Sequence, residues 1–244
     1  FIPNAPAGDP KLKISFNLFR GTVGIIQKTK EIPLVYWTII GISWFWVIGC
    51  SFITQLPVLM REYLHATEGC VVLVFLLFSI GLGIGSFLCH KFFKEKVTLE
   101  YMPYLGALIS LFMIDFYISA ASLPSQPTQS LSTVLQFIQS PYNWRLMIDI
   151  IAISIFSGLF VVPLYTVMQI ISPSENCSRI IAANNVLNAG FMVASSVVIS
   201  LFLAGNGNTL DIILGLGLLN IPVVTMVYHR IKPWHQAVSL FCSN

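Results

Sequence analysis

The stretch from Pro33 to Pro57 contains no charged residue. It exceeds the roughly 20 apolar residues that an α-helix needs to cross a bilayer, so it predicts a membrane-spanning helix that begins near Pro33 and ends near Pro57. The stretch also carries Trp44, Trp46 and Gln55. Because polar groups in lipid need hydrogen-bond partners or water, we expect one side of this helix to face protein or a cavity. Simple packing of the two tryptophans is the alternative.

The composition of the whole chain is typical of a membrane protein. Of its 244 residues, 56% are hydrophobic and only 9% are charged, whereas soluble domains average about 25% charged residues. The net charge of +3 is too small to indicate a nucleic-acid partner. The five cysteines have no paired spacing, so we expect neither a disulfide framework nor a metal site.

Six apolar segments predict an all-α membrane protein with six transmembrane helices. The first is the segment described above, and the others cover roughly residues 71–89, 102–121, 146–171, 180–204 and 210–228. We therefore divide the chain into a basic lead (1–31), a six-helix transmembrane unit (32–228) and a tail (229–244). The lead is interpreted as an amphipathic helix on the membrane surface or, alternatively, as a solvated linker.

The distribution of basic residues predicts the orientation. Six spans place both ends on one side, and that side carries all but two of the 13 Lys and Arg residues; the exceptions are Arg61 and Arg145. Because cytoplasmic loops are enriched in Lys and Arg, both termini are predicted to be cytoplasmic. The uncharged Ser/Gln/Pro-rich loop between the third and fourth spans is then external.

Three charged residues are candidates for a functional site. Asp115 lies within the third apolar segment, and Arg145 and Asp149 are four residues apart at the start of the fourth. Charges at membrane depth are costly and are often functional. We consider a structural ion pair, a gate or substrate-headgroup site, and a proton relay.

Two glycines in the second segment, Gly81 and Gly85, form a small-xxx-small pair that permits close helix packing. The GLGIG sequence around them is not a phosphate loop, because no strand precedes it and no GK[ST] follows.

Three amides, Asn184, Asn185 and Asn188, occur near the start of the fifth span. They predict interhelical hydrogen bonds or a polar pathway. The sequence contains no HEXXH motif, no Ser/His/Asp arrangement and no paired glycosidase-type carboxylates, so we do not expect an enzyme. No cofactor is expected either.

Four segments resemble a known family. They are GISWFWVIGCSFITQLP (41–57), FSIGLGIGSFLC (78–89), the segment around Asp115, and SRIIAANNVLNAGFMV (178–193). They are similar to the C-terminal half of bacterial lysophospholipid transporters of the major facilitator superfamily. Members of this family also occur fused to an acylglycerophosphoethanolamine acyltransferase and an acyl-acyl carrier protein synthetase.

The resemblance implies one half of a twelve-helix transporter that flips lysophospholipid, notably the ethanolamine form, across the bacterial inner membrane by alternating access. It implies two partners, a six-helix N-terminal half that this sequence lacks and an associated acyltransferase. The lead would then be the cytoplasmic loop between halves. The tail carries no HX4D acyltransferase signature. A generic exporter of amphipathic compounds and an inactive anchor for an acyltransferase are the alternatives.

On this interpretation two sets of residues have functions. Asp115, Arg145 and Asp149 form an external headgroup site or gate. The candidate substrate-binding wall consists of Trp44, Trp46, Gln55, Asn184, Asn185 and Asn188.

Overall fold

The structure, a computed structural model, describes residues 24, 26, 27, 29–93, 99–123, 131–173 and 176–241. Within this part of the chain it contains seven α-helices and no β-strand. The helices are α1 (Pro33–Glu62), α2 (Glu68–Phe93), α3 (Met102–Ala121), α4 (Val134–Gln139), α5 (Pro141–Ile171), α6 (Cys177–Ala204) and α7 (Thr209–Phe241). The lead was predicted on residues 1–31, most of which (1–23, 25 and 28) lie outside the described residues.

All of these helices except α4 are long and apolar enough to cross a membrane, which confirms the prediction of an all-α membrane protein with six transmembrane helices. Three of them, α1, α3 and α5, have a proline in their first turn. Proline is favoured there because its missing N–H has no helical partner at that position.

Three helices extend beyond the apolar segments that predicted them. Helix α1 continues through Pro57 to Glu62, α5 begins at Pro141, and α7 continues to Phe241. An internal proline removes one backbone hydrogen bond, which transmembrane helices tolerate. The polar residues at these ends remain helical although hydropathy alone places them outside the apolar segments.

Helix α1 lies at the centre of the bundle, in contact with α5, α6 and α7. Helix α2 packs along α5, and α3 packs against both α5 and α7. In the core the ring of Phe52 meets Phe116 edge-on at 5.5 Å and Phe78 at 6.3 Å. These three fully or nearly buried rings join α1, α2 and α3.

Helices α6 and α2 lie at the edge of the bundle. Only 6% of the residues in the most apolar part of α6 are buried, and 22% in α2, against 61% in α5. Among the long helices, α6 packs mainly on α1. Most of the length of α6 is therefore uncovered by the part of the chain that the structure describes.

Residues 131–140, which include α4, fold against the loop between α1 and α2. The amide of Ser132 donates to the carbonyl of His65 at 2.7 Å, and the amide of Thr67 donates to the carbonyl of Ser132 at 3.0 Å. Helix α4 begins with a capping box between Thr133 and Gln136, an arrangement that satisfies free amides at a helix start. We call residues 131–140 the strap.

Candidate functional site

The three charged residues singled out from the sequence lie together where the C-terminal part of α3 meets the start of α5. The Nε of Arg145 donates to Oδ2 of Asp115 at 2.9 Å, and a second guanidinium nitrogen donates to Oδ1. This bidentate geometry is the strong form of an arginine–carboxylate pair. The pair is accessible, because 55% of the Arg145 side chain and 32% of the Asp115 side chain are exposed.

Asp149 lies one helical turn after Arg145 on the same side of α5, close to the carboxyl group of Asp115. It is 1% exposed, and its Oδ2 atom has no hydrogen-bond partner. Two carboxyl groups thus lie beside a single guanidinium that is already engaged by Asp115. A buried oxygen without a donor is energetically costly, so Oδ2 of Asp149 remains available for a further hydrogen bond.

Trp44 belongs to a hydrogen-bonded junction between three helices. Its indole Nε1 donates to Oδ1 of Asn220 on α7 at 2.9 Å. The Nδ2 of Asn220 donates to the carbonyl of Gly106 at 2.8 Å and to the hydroxyl of Ser110 at 3.0 Å, both on α3. Asn220 is buried, so this junction joins α1, α3 and α7 in the interior.

The three amides at the start of α6 have different surroundings. The hydroxyl of Ser43 on α1 donates to Oδ1 of Asn188 at 2.8 Å, and both residues are buried. Asn184 is also buried; its Nδ2 donates to Oδ1 of Asn185 at 3.4 Å, and its Oδ1 has no hydrogen-bond partner among the described residues. Asn185 is exposed. One amide therefore joins two helices, while the other two contact each other at the start of α6.

The remaining two predicted wall residues face elsewhere. The indole of Trp46 donates to the hydroxyl of Tyr165 on α5 at 2.9 Å, on the exposed surface that α1 and α5 share. Gln55 is buried. Successive positions on a helix differ by about 100°, so Trp44 and Trp46 face different neighbours. The six predicted wall residues are thus distributed over several different contacts.

Gly81 and Gly85 lie where α2 approaches α5 closely. A Cβ atom at Gly81 would meet the side chain of Ser154, and one at Gly85 would meet the backbone carbonyl of Ile155. Across the contact, a Cβ at Gly158 would lie 2.7 Å from the carbonyl of Leu82. Because only hydrogen fits at these points, the two helix backbones are in direct contact.

A cavity of about 720 Å³ lies at the end of the bundle where α1 ends and α2 begins. Its volume falls within the range typical of small-molecule sites. Two charged side chains, Arg61 and Glu68, line it, and the rest of its lining is mainly apolar. The other lining residues are Pro57, Ala66, Thr67, Gly69, Val71, Val72 and Leu131.

Sequence reasoning missed several residues of these contacts. Asn220, like Asn188, is an amide within an apolar segment. The sequence could therefore have identified it as a residue that needs a hydrogen-bond partner. Tyr165 and Gly158 carried no distinctive signal, because aromatic residues and single glycines are common in membrane helices.

No group of three His, Cys, Asp or Glu side chains able to hold a metal ion occurs among the described residues. Comparison of the chain with protein-family models, curated proteins and solved structures found no match.

Proposed function

We propose that the chain is one six-helix half of a membrane transporter that moves lysophospholipid, in particular the ethanolamine form, across the bacterial inner membrane. The observation that carries the proposal is the uncovered surface of α6, which bears polar groups beside apolar ones. A helix so little covered in its own chain needs a further contact surface if it bears polar groups at membrane depth.

The uncovered surface of α6 carries polar and small residues among large apolar side chains such as Val193, Val197 and Leu201. Asn185 is exposed, and its Oδ1 accepts a hydrogen bond from the Nδ2 of Asn184 at 3.4 Å. Further along α6, Ser196 and Ser200 are exposed together with the small residue Ala189. Small and hydroxyl side chains are enriched where membrane helices pack against one another. A second set of helices laid over this surface would pack on these exposed groups and enclose a partly polar space.

An amphipathic surface on α1 and α5 supports a lipid substrate. The hydrogen-bonded pair of Trp46 and Tyr165 offers ring faces and polar edges on one exposed surface, and Thr54 is exposed further along α1. A lysophospholipid combines a polar headgroup with one acyl chain, so its binding needs both kinds of group. We assign to this surface a contact with the moving lipid.

The cluster of Asp115, Arg145 and Asp149 supports a gate or headgroup contact. The pair is accessible, and Asp149 retains an unpaired oxygen. Ionisable groups within membrane helices are functional candidates by default. In the proposed orientation, with both termini cytoplasmic, the cluster lies near the external end of the bundle.

An uptake assay tests the proposal. The chain would be expressed alone, and together with the N-terminal six-helix half of a lysophospholipid transporter, in cells that lack their own transporter. Uptake and reacylation of labelled lysophosphatidylethanolamine would then be measured in spheroplasts. We expect uptake only when both halves are present, because alternating access requires two bundles that move against each other.

Uptake by the chain alone would mean that it assembles with itself. Absence of uptake in both cases, with both halves inserted in the membrane, would contradict the transport proposal and favour a membrane anchor.

A further inference from the structure

We propose that the cavity between the end of α1 and the start of α2 binds the headgroup of a zwitterionic phospholipid, with Arg61 at the phosphate and Glu68 at the ammonium group. This inference deepens the proposed function and takes from it the lipid class of the substrate. It assigns a site distinct from the Asp115 cluster and from the surface of Trp46 and Tyr165.

The two charges in the cavity are available to a ligand. Arg61 is in the last turn of α1 and Glu68 in the first turn of α2, and both are exposed. Both line the same cavity, yet they form no ion pair with each other; the ion pair within the described part of the chain joins Arg145 and Asp115. A positive and a negative group that line one cavity without pairing match a molecule with an anionic and a cationic end.

The chemistry of each charge suits one end of the headgroup. A guanidinium presents parallel N–H donors that match two phosphate oxygens. A carboxylate accepts hydrogen bonds from the three N–H donors of a primary ammonium group. An anionic headgroup without an amine would satisfy Arg61 but leave Glu68 unpaired beside a negative charge. The cavity therefore favours a zwitterion over an anion.

The apolar lining suits the remainder of a lipid. Pro57, Val71 and Leu131 contribute apolar walls. Val72, also in the lining, is 66% exposed on the side of α2, a helix that spans the membrane. The cavity is thus continuous with the surface of a membrane helix, so a lipid can place its headgroup in the cavity and keep its acyl chain in the bilayer.

The strap holds one wall of the cavity in place. The backbone of Ala66 is bridged to that of Ser132, next to the lining residue Leu131. A Cβ atom at Gly69 would lie 2.8 Å from a methyl group of Val134, so glycine permits the strap to lie directly on the first turn of α2. A wall held by backbone hydrogen bonds needs little ordering when a ligand binds, which favours affinity.

The test is direct binding of lipids to the purified full chain in nanodiscs. The probes are radiolabelled lysophosphatidylethanolamine, which is zwitterionic, and lysophosphatidylglycerol, which is anionic. Each charge-assisted contact is strong enough that its loss should lower affinity about tenfold. We expect Arg61→Gln to weaken the binding of both lipids by this factor. We expect Glu68→Gln to weaken only the binding of lysophosphatidylethanolamine, and so to remove the preference for the zwitterion.

Glu62→Gln is the matched control, because Glu62 is exposed next to Arg61 but does not line the cavity. It should leave both affinities unchanged. A charge exchange, Arg61→Glu with Glu68→Arg, keeps the net charge and should recover part of the preference for the zwitterion. This double variant also tests the inference if a single variant folds poorly. Proper folding is judged by elution of the purified protein as a single species.

Two results would overturn the inference. One is that Arg61→Gln and Glu68→Gln bind both lipids with the affinity of the wild type. The two charges would then have no role in lipid binding. The other is an equal loss caused by Glu62→Gln, which would indicate a general surface potential. Binding by the chain alone needs no second half, so a failed uptake assay with intact, charge-dependent binding would reject the transport proposal and keep this site. Normal uptake with charge-independent binding would keep the transport proposal and reject this site.

Discussion

The buried side chain of Asn220 makes three hydrogen bonds. It accepts a hydrogen bond from Trp44 and donates to Gly106 and Ser110. We expect Asn220→Ala to lower the free energy of unfolding by about 1–2 kcal/mol, because three partners lose their bonds at once and buried polar groups are costly when unpaired. The measurement is the unfolding midpoint of the purified protein in mixed detergent micelles. Asn185→Ala is the control, since Asn185 is exposed; an equal shift in both variants would contradict the assignment.

For the accessible ion pair of Asp115 and Arg145 we predict an effect on uptake. In the two-half uptake assay we expect Asp115→Asn to lower uptake about tenfold, the effect of one lost charge-assisted contact. Membrane insertion and stability should remain normal, because half of the Arg145 side chain is exposed and such pairs stabilise little.

The matched control for this experiment is Asp211→Asn. Asp211 is an exposed acidic residue in the first turn of α7, at the same end of the bundle, and its replacement should leave uptake unchanged. Unchanged uptake by Asp115→Asn at normal expression would remove the gate or headgroup assignment.

Residue types in the sequence identified which side chains need partners, but not the partners themselves. Amides such as Asn188 in an apolar segment must hydrogen-bond within the membrane, and this one does, to Ser43. The different directions of Trp44 and Trp46 depend on the rotation of α1 against its neighbours. A segment that is apolar on all sides gives no periodic pattern from which that rotation can be read.

At the scale of elements, the contact of α2 with α5 depends on glycine. We expect Gly85→Ala to lower the free energy of unfolding by about 1–3 kcal/mol, because the added methyl group would collide with the backbone carbonyl of Ile155 and force the helices apart. Gly83→Ala is the matched control two residues away, with no atom within 4 Å of its added Cβ. Thermal unfolding in detergent measures both variants. Equal melting temperatures would mean that the close contact does not form.

Hydropathy predicted the six spanning helices because length and apolar composition alone decide whether a segment can cross a bilayer. It did not predict α4 or the strap. Residues 131–140 are held by backbone hydrogen bonds to residues 65–67 and by a capping box. The Thr133 and Gln136 spacing was a local signal for the helix start, whereas the pairing of Ser132 with His65 and Thr67 is a tertiary contact.

At the scale of the whole molecule, the asymmetric distribution of basic residues predicts the orientation. A fluorescent protein fused after Asn244 should fluoresce, since it would remain in the cytoplasm. Alkaline phosphatase inserted after Leu123, at the end of α3, should be active, since it folds only outside the cytoplasm. The opposite pair of results would reverse the orientation and place the cavity of Arg61 and Glu68 at the cytoplasmic leaflet.

The bundle of this chain covers α1 and α5 well and leaves α6 largely bare. This difference is the basis of the proposal that a second six-helix body completes the molecule. The sequence alone suggested it only through a family resemblance, because the coverage of a helix depends on how all the others pack around it.

The central claim is that the uncovered surface of α6 that includes Asn185 is covered by a second body. A photoreactive phenylalanine analogue in place of Asn185 would be illuminated in membranes that contain the chain alone or the chain with an N-terminal half. The same analogue in place of Leu111, an exposed residue of α3, is the lipid-facing control. We predict a protein crosslink to the added half from position 185 and none from position 111. Reaction with lipid alone at position 185, with both halves present in the membrane, would contradict the account.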